Sequence, residues 1–200
     1  ILDLAQSELV GKVMDVITAV VVSFFDKDVF VAFWVSKCIV LMLKTKSVSL
    51  TDKKYIQESV QSPILLPIYM AILKTDVIEN WLLESPHGPL VLGAVFEFIF
   101  AMLEGSQLVE DSACFCTYFC SENGLILVAN AVSLLCRIDD SDMAVLMGLN
   151  ILSYVSILNG CTAEDFAKVC PVLLKIAAAS ETPSVLKAVC DAFQNYFTMS

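Results

Sequence analysis

What most limits the folds open to this chain is a helical motif that returns about every forty residues. An apolar helical stretch is followed by a short polar stop, then by a second apolar stretch with a small residue at a fixed place. Val145-Leu146-Met147-Gly148-Leu149 reads against Val185-Leu186-Lys187-Ala188-Val189 at an offset of 40, with Gly148 and Ala188 at the small position. Val91-Leu92-Gly93-Ala94-Val95 fits the same pattern at an offset of 54 and places Ala94 there. A helix pair of this size cannot bury its apolar face alone, so neighbouring pairs stack into a continuous core. The expected fold is all-α, a right-handed solenoid of about ten helices, and such stacks present extended surfaces to other macromolecules.

The apolar content requires a membrane test. Hydrophobic residues make up 58% of the 200, and a membrane-spanning helix needs about 20 predominantly apolar residues. The run Val16–Phe25 stops at Asp26-Lys27-Asp28, Val29–Leu43 carries Lys37, and Pro89–Leu103 carries Glu97. Stretches of this length suit helices buried against other helices, so membrane insertion is not expected. The net charge of −10, with one arginine (Arg137) and scattered lysines, provides no basic stripe for nucleic acid. It favours a basic or neutral partner. The eight cysteines sit mostly within apolar helical stretches, where a free thiol acts as a small hydrophobe. Reduced thiols, and a cytoplasmic or nuclear location, are the expectation. The chain starts at Ile1 rather than Met, so it is read as a fragment of a longer protein, one domain spanning 1–200.

Caps and stops divide the chain. Helices are expected over Leu4–Phe25 (one helix or two), Val29–Lys44 capped by Asp28, and Asp52–Val60 capped by Thr51. Ser62-Pro63 starts another, which Pro67 kinks or restarts. Asp76–Glu84 is short, and Pro86-His87-Gly88-Pro89 is a loop. Pro89–Glu104 stops at Gly105, and Gln107–Ser121 stops at Asn123-Gly124. Leu125–Arg137 precedes the acidic turn Asp139–Asp142, which caps Met143–Leu158, stopped in turn by Asn159-Gly160. Thr162–Asp165 resembles a capping box. The helix after it is interrupted at Pro171, and Thr182-Pro183 starts the last one, ending near Phe197.

From Asn123 to Phe197 the pattern resembles armadillo- and HEAT-type repeats. Leu125–Cys136 with Met143–Leu158, then Val172–Ala179 with Val185–Phe197, match the long helix pairs of successive units. Ser62–Leu73 with Pro89–Leu103 forms a more irregular third unit, so residues 61–200 are repeat-like and 1–60 are an atypical or capping part. The resemblance implies a curved superhelix whose inner helices line a partner groove. The Asn and Trp ladder of the nuclear-import members is missing: Asn150 alone sits near such a place, and the tryptophans are Trp34 and Trp81.

Catalytic patterns are not found. His87 is the only histidine, no CxxC pair exists, and no Gly-rich phosphate loop, GxSxG or HExxH is present. Cys114, Cys116 and Cys120 form the one tight thiol group, read as core rather than zinc ligands. Glu110-Asp111, Asp139-Asp140 and Glu164-Asp165 fall at turns and first helical turns, where acids complement the helix dipole. No enzyme activity, cofactor or metal is expected. One set stands out. At the repeat offsets Glu97, Ile151 and Asp191 are equivalent, Asn150 is beside Ile151, and Tyr154 lies one turn beyond Asn150. A glutamate inside Val95–Phe100 is costly to bury unpaired, so it should face a groove, a partner or a buried lysine. Glu97, Asn150, Tyr154 and Asp191 are therefore expected to line a groove for a basic or helical peptide. The expected function is an interaction scaffold or adaptor that binds a partner segment, another subunit or a second copy. The alternatives are a helical carrier of an apolar ligand such as lipid, or a membrane-associated bundle.

Overall fold

The computed structural model describes residues 2–24, 28–60, 65–106, 115–158 and 161–199. Every regular element among them is a helix: α1 Leu2–Phe24, α2 Val29–Lys44, α3 Leu50–Val60, α4 Leu65–Ile72, α5 Thr75–Glu84, α6 Gly88–Ser106, α7 Phe115–Ser121, α8 Gly124–Leu135, α9 Asp142–Val155, α10 Ala163–Ala179 and α11 Pro183–Met199. The all-α expectation holds. Ser62-Pro63, Asp26-Lys27, Gln107, Glu110-Asp111, Cys114 and Asn159-Gly160 lie outside the described residues.

Local chemistry explains most helix starts. The Asp28 carboxylate accepts from the Phe30 amide at 2.8 Å. Thr162 and Asp165 form a full capping box, each side chain accepting from the other's backbone N–H. Three details differ from the sequence reading. The cap of α3 is Ser49, not Thr51. Its hydroxyl accepts from the Asp52 amide at 3.1 Å and donates to the Asp52 carboxylate at 2.7 Å. The turn before α9 is fixed less by its acids than by buried Ser141, which donates back to the carbonyls of Leu135 and Ile138. Finally, α10 runs unbroken through Pro171. Pro171 and Ala167 are both exposed, so water can serve the Ala167 carbonyl that the proline leaves free. The packing of Phe166, Val169, Leu173 and Ile176 holds the helix together across it.

The helices form two rows. In one, α2 packs on α6, α6 on α9 and α9 on α11, the three most extensive helix contacts among the described residues. Behind it α5, α8 and α10 follow one another, with α5 against α6, α8 against α9 and α10 against α11. Helices α1 and α3 pack on α2. Within the first row α2, α6 and α9 run parallel. Phe30 lies by His87 while Lys37 reaches Glu97. Along the next seam Gly93 meets Ala144, Phe96 meets Gly148 and Phe100 meets Tyr154. Consecutive helices of different rows run antiparallel. Val132 meets Gly148 between α8 and α9, and the Tyr196 hydroxyl donates to the Ala163 carbonyl between α10 and α11.

Close approach is where glycine matters. A Cβ on Gly148 would stand 2.3 Å from Val132 Cγ2 and 3.1 Å from the Phe96 ring. The small position of the repeat is thus the crossing point of α6, α8 and α9. Gly105, read as a stop, sits inside the last turn of α6, where the buried Gln57 amide of α3 occupies the space a side chain would take. In the core between α2, α4 and α6, Tyr69 stacks on Phe98 at 4.1 Å and accepts from buried Ser36. Burial pushes the Tyr69 phenol well above its usual range. The window Gly88–Gly105 is longer than the sequence reading of this run, and by length and composition it could cross a membrane. In the fold 61% of it is buried, between α2, α5 and α9.

Candidate functional site

The side of the first row turned away from α5, α8 and α10 carries all four residues singled out in the sequence. On α9, Gly148 faces α8, so Asn150, about 200° further round the helix, points the opposite way and is exposed. Met143, at 78% exposure, shares its stripe. On α6 the stripe is Leu90, Gly93, Glu97, Phe100 and Glu104, the only positions of Leu90–Glu104 that are not buried. On α2 it is Phe30, Trp34, Lys37, Cys38, Leu41 and Lys44.

Each seam of the row is closed by a pair at this surface. Between α2 and α6, Glu97 accepts from Lys37 and, at 3.0 Å, from Lys44. The hydrogen bond from Lys37 holds the Glu97 carboxyl below the usual glutamate range, against the opposing effect of partial burial. Of the surroundings foreseen for Glu97, the lysine is the one found, though Lys37 is half-buried rather than buried. Between α6 and α9, the Tyr154 ring packs on Phe100 at 5.1 Å. Burial raises the Tyr154 phenol, and the Glu104 carboxylate adds to the shift. Between α9 and α11, the Asn195 amide donates to the Ser153 hydroxyl at 2.8 Å. Asp191 is exposed on α11. Ile151, the repeat counterpart of Glu97 and Asp191, is fully buried. The offset thus aligns the helices but not their surface positions.

Sequence reasoning gave no role to the α2 part of this surface, where Trp34 and Leu41 are both 64% exposed. Helix α2 is apolar almost all round, so no periodicity picks out its outward face. The available signal was the spacing of Lys37 and Lys44, two helical turns apart on one side.

The remaining titratable groups read as structure. His87 is exposed and its ring lies 5.6 Å from that of Phe30. Cys116 and Cys120 are buried on one face of α7, and Cys161 joins them ahead of α10. Contact with Cys116, with burial adding, pushes the Cys120 thiol up to about 12, and contact with Cys120 raises Cys161 as well. Among the described residues no group of three or more His, Cys, Asp or Glu is arranged to hold a metal ion.

Comparison with family models, curated proteins and solved structures gives no significant match to this chain.

Proposed function

We propose that this chain is an armadillo/HEAT-like α-solenoid that serves as a protein-interaction scaffold, with the outward face of α2, α6, α9 and α11 as its binding surface. The observation that carries the reading is the parallel run of α2, α6 and α9 in one row, backed antiparallel by a second row. This is the relation between equivalent helices of successive stacked units. The face is broad and rigid, being bridged at each seam, and large side chains stand exposed on it: Trp34, Leu41, Leu90 and Met143. Large apolar side chains exposed together on one face mark candidate interaction sites in folded proteins.

The face is polarised. At the α9 and α11 end Asn150, Asp191 and Tyr154 stand with Glu104 nearby, and this end suits a basic or helical segment. At the other end Glu97 is neutralised by two lysines and offers no free carboxylate to a partner. The test is affinity purification of the tagged protein from cells that make it. A stoichiometric protein partner, released by substitutions on this face such as Asn150→Ala with Asp191→Ala, supports the scaffold reading. A lone protein that carries extracted lipid refutes it and favours the carrier of an apolar ligand.

A further inference from the structure

Helix α2 combines two features absent elsewhere on the outward face. Phe30, Trp34 and Leu41 form an exposed apolar stripe, about 16 Å from first to last at the helical rise of about 1.5 Å per residue. Beside it Lys37 and Lys44 converge on the single carboxylate of Glu97, so two cations share one anion. Lys37 also stands over the Phe33 ring at 6.0 Å. Residues 28–60 with Glu97 carry Lys37, Lys44, Lys46, Lys53 and Lys54 against Asp28, Asp52, Glu58 and Glu97, a net +1 within a chain of −10. Apolar anchors thus sit beside a small excess of positive charge, two lysines to one carboxylate with Lys46 beyond them, at one end of an otherwise acidic molecule.

We infer that the α2 face docks an acidic amphipathic helix of a partner protein, with apolar residues seated around Trp34 and Leu41 and carboxylates beside Lys37, Lys44 and Lys46. The inference rests on the scaffold reading and names the chemistry of the partner at this end. A helix of three or more turns spans the stripe, matching the i, i+4, i+7 anchors used when an amphipathic helix lies in a groove. Charge argues against two other occupants. A second copy paired through α2 about a two-fold axis would set lysines against lysines, which costs rather than gains. An anionic membrane calls for clusters of four to eight basic residues. This face offers three, Lys37, Lys44 and Lys46, fewer than a membrane surface needs.

The test uses the whole chain and a fluorescein-labelled helical peptide of about 15 residues, with leucines at helical spacing and glutamates on both flanks. A charge-reversed isomer with lysines in place of the glutamates serves as its control. Fluorescence anisotropy should show the acidic peptide binding, more weakly as salt rises, and the basic isomer binding at least about tenfold less well. Trp34→Ala with Leu41→Ala should lower affinity at least about tenfold, as truncation of exposed anchors does, and Lys46→Glu should lower it several-fold. All three side chains are exposed, so circular dichroism should show the fold unchanged. Equal or better binding by the basic isomer, or unchanged affinity in the Trp34/Leu41 variant, overturns the inference. So does co-sedimentation with phosphatidylserine vesicles in the absence of peptide binding, which would assign the face to a lipid surface. If neither peptide binds while the native protein still yields a stoichiometric partner, this inference falls and the scaffold reading stands.

Discussion

Replacing Gly148 with alanine should destabilise the protein, although helix propensity alone predicts the opposite. Gly148 lies inside α9, and an alanine there gains about 1 kcal/mol over glycine in an unobstructed helix. Here the added Cβ would stand 2.3 Å from Val132 Cγ2 and 3.1 Å from the Phe96 ring, and both neighbours are fully buried. Valine is stiff at χ1 and its γ carbons are bonded directly to Cβ, so relief needs a shift of α8 against α9. Overpacking of this kind costs about 1–3 kcal/mol. The balance is a net loss of about 1 kcal/mol, or about 2–4 °C in melting temperature for a chain of this length. Thermal and urea denaturation of Gly148→Ala, Val132→Ala and the double variant would read it out. With Val132 trimmed, the alanine should become neutral or stabilising, a coupling of about 1 kcal/mol between residues in contact. A higher melting temperature for Gly148→Ala alone would refute the close crossing of α6, α8 and α9.

Other consequences follow from the same contacts. Glu97→Gln should cost less than about 1 kcal/mol at neutral pH, since Lys37 and Lys44 are both more than a third exposed. The folded-state value of Glu97 is depressed, so its contribution is present above the unfolded value of about 4.3 and is lost as pH falls through the lower folded value. The melting-temperature gap between wild type and variant should therefore close on acidification, and a gap that persists at acid pH would contradict the ion pair. Pro171→Ala restores a donor to the Ala167 carbonyl inside α10 and should stabilise by about 1–2 kcal/mol, less than the full proline penalty because the unfolded chain also regains freedom. A lower urea midpoint would show instead that the proline supports the packing. In thiol labelling of the native protein, Cys38 and Cys190 should react first, and buried Cys116 and Cys120 only on unfolding. Rapid labelling of Cys120 would contradict its burial.

The helices were legible in the sequence wherever a side chain caps them, as at Asp28 and Thr162, because capping is local chemistry. The expected break at Pro171 did not occur, because long-range packing of Phe166 to Ile176 outweighs one missing hydrogen bond. The recurrence of a small residue at Ala94, Gly148 and Ala188 was legible in the sequence, and in the fold Gly148 lies where α6, α8 and α9 cross. The surroundings of Glu97 were legible only as a set of options, and choosing Lys37 and Lys44 required knowing that α2 lies beside α6 although about 60 residues separate them. Equivalence of Glu97 with Ile151 did not survive folding. The outward stripes of α6 and α9 correspond at an offset of 53, Leu90 with Met143 and Glu97 with Asn150, so an offset of 54 is one residue off and turns the side chain by about 100°. Trp34 and Leu41 were hidden because a helix apolar on every side carries no record of which side stays wet.

The central claim, that the outward face of α2, α6, α9 and α11 binds the partner, is tested most directly by hydroxyl-radical footprinting of the purified protein with and without its co-purified partner. Trp34, Leu41, Met143 and Leu90 are exposed in the free chain, and tryptophan and methionine provide sensitive reporters on that face. The account predicts protection of Trp34 and Met143 in the complex, with Leu174 of α10 in the opposite row still reactive. Protection of Leu174, with Trp34 and Met143 unchanged, would contradict it.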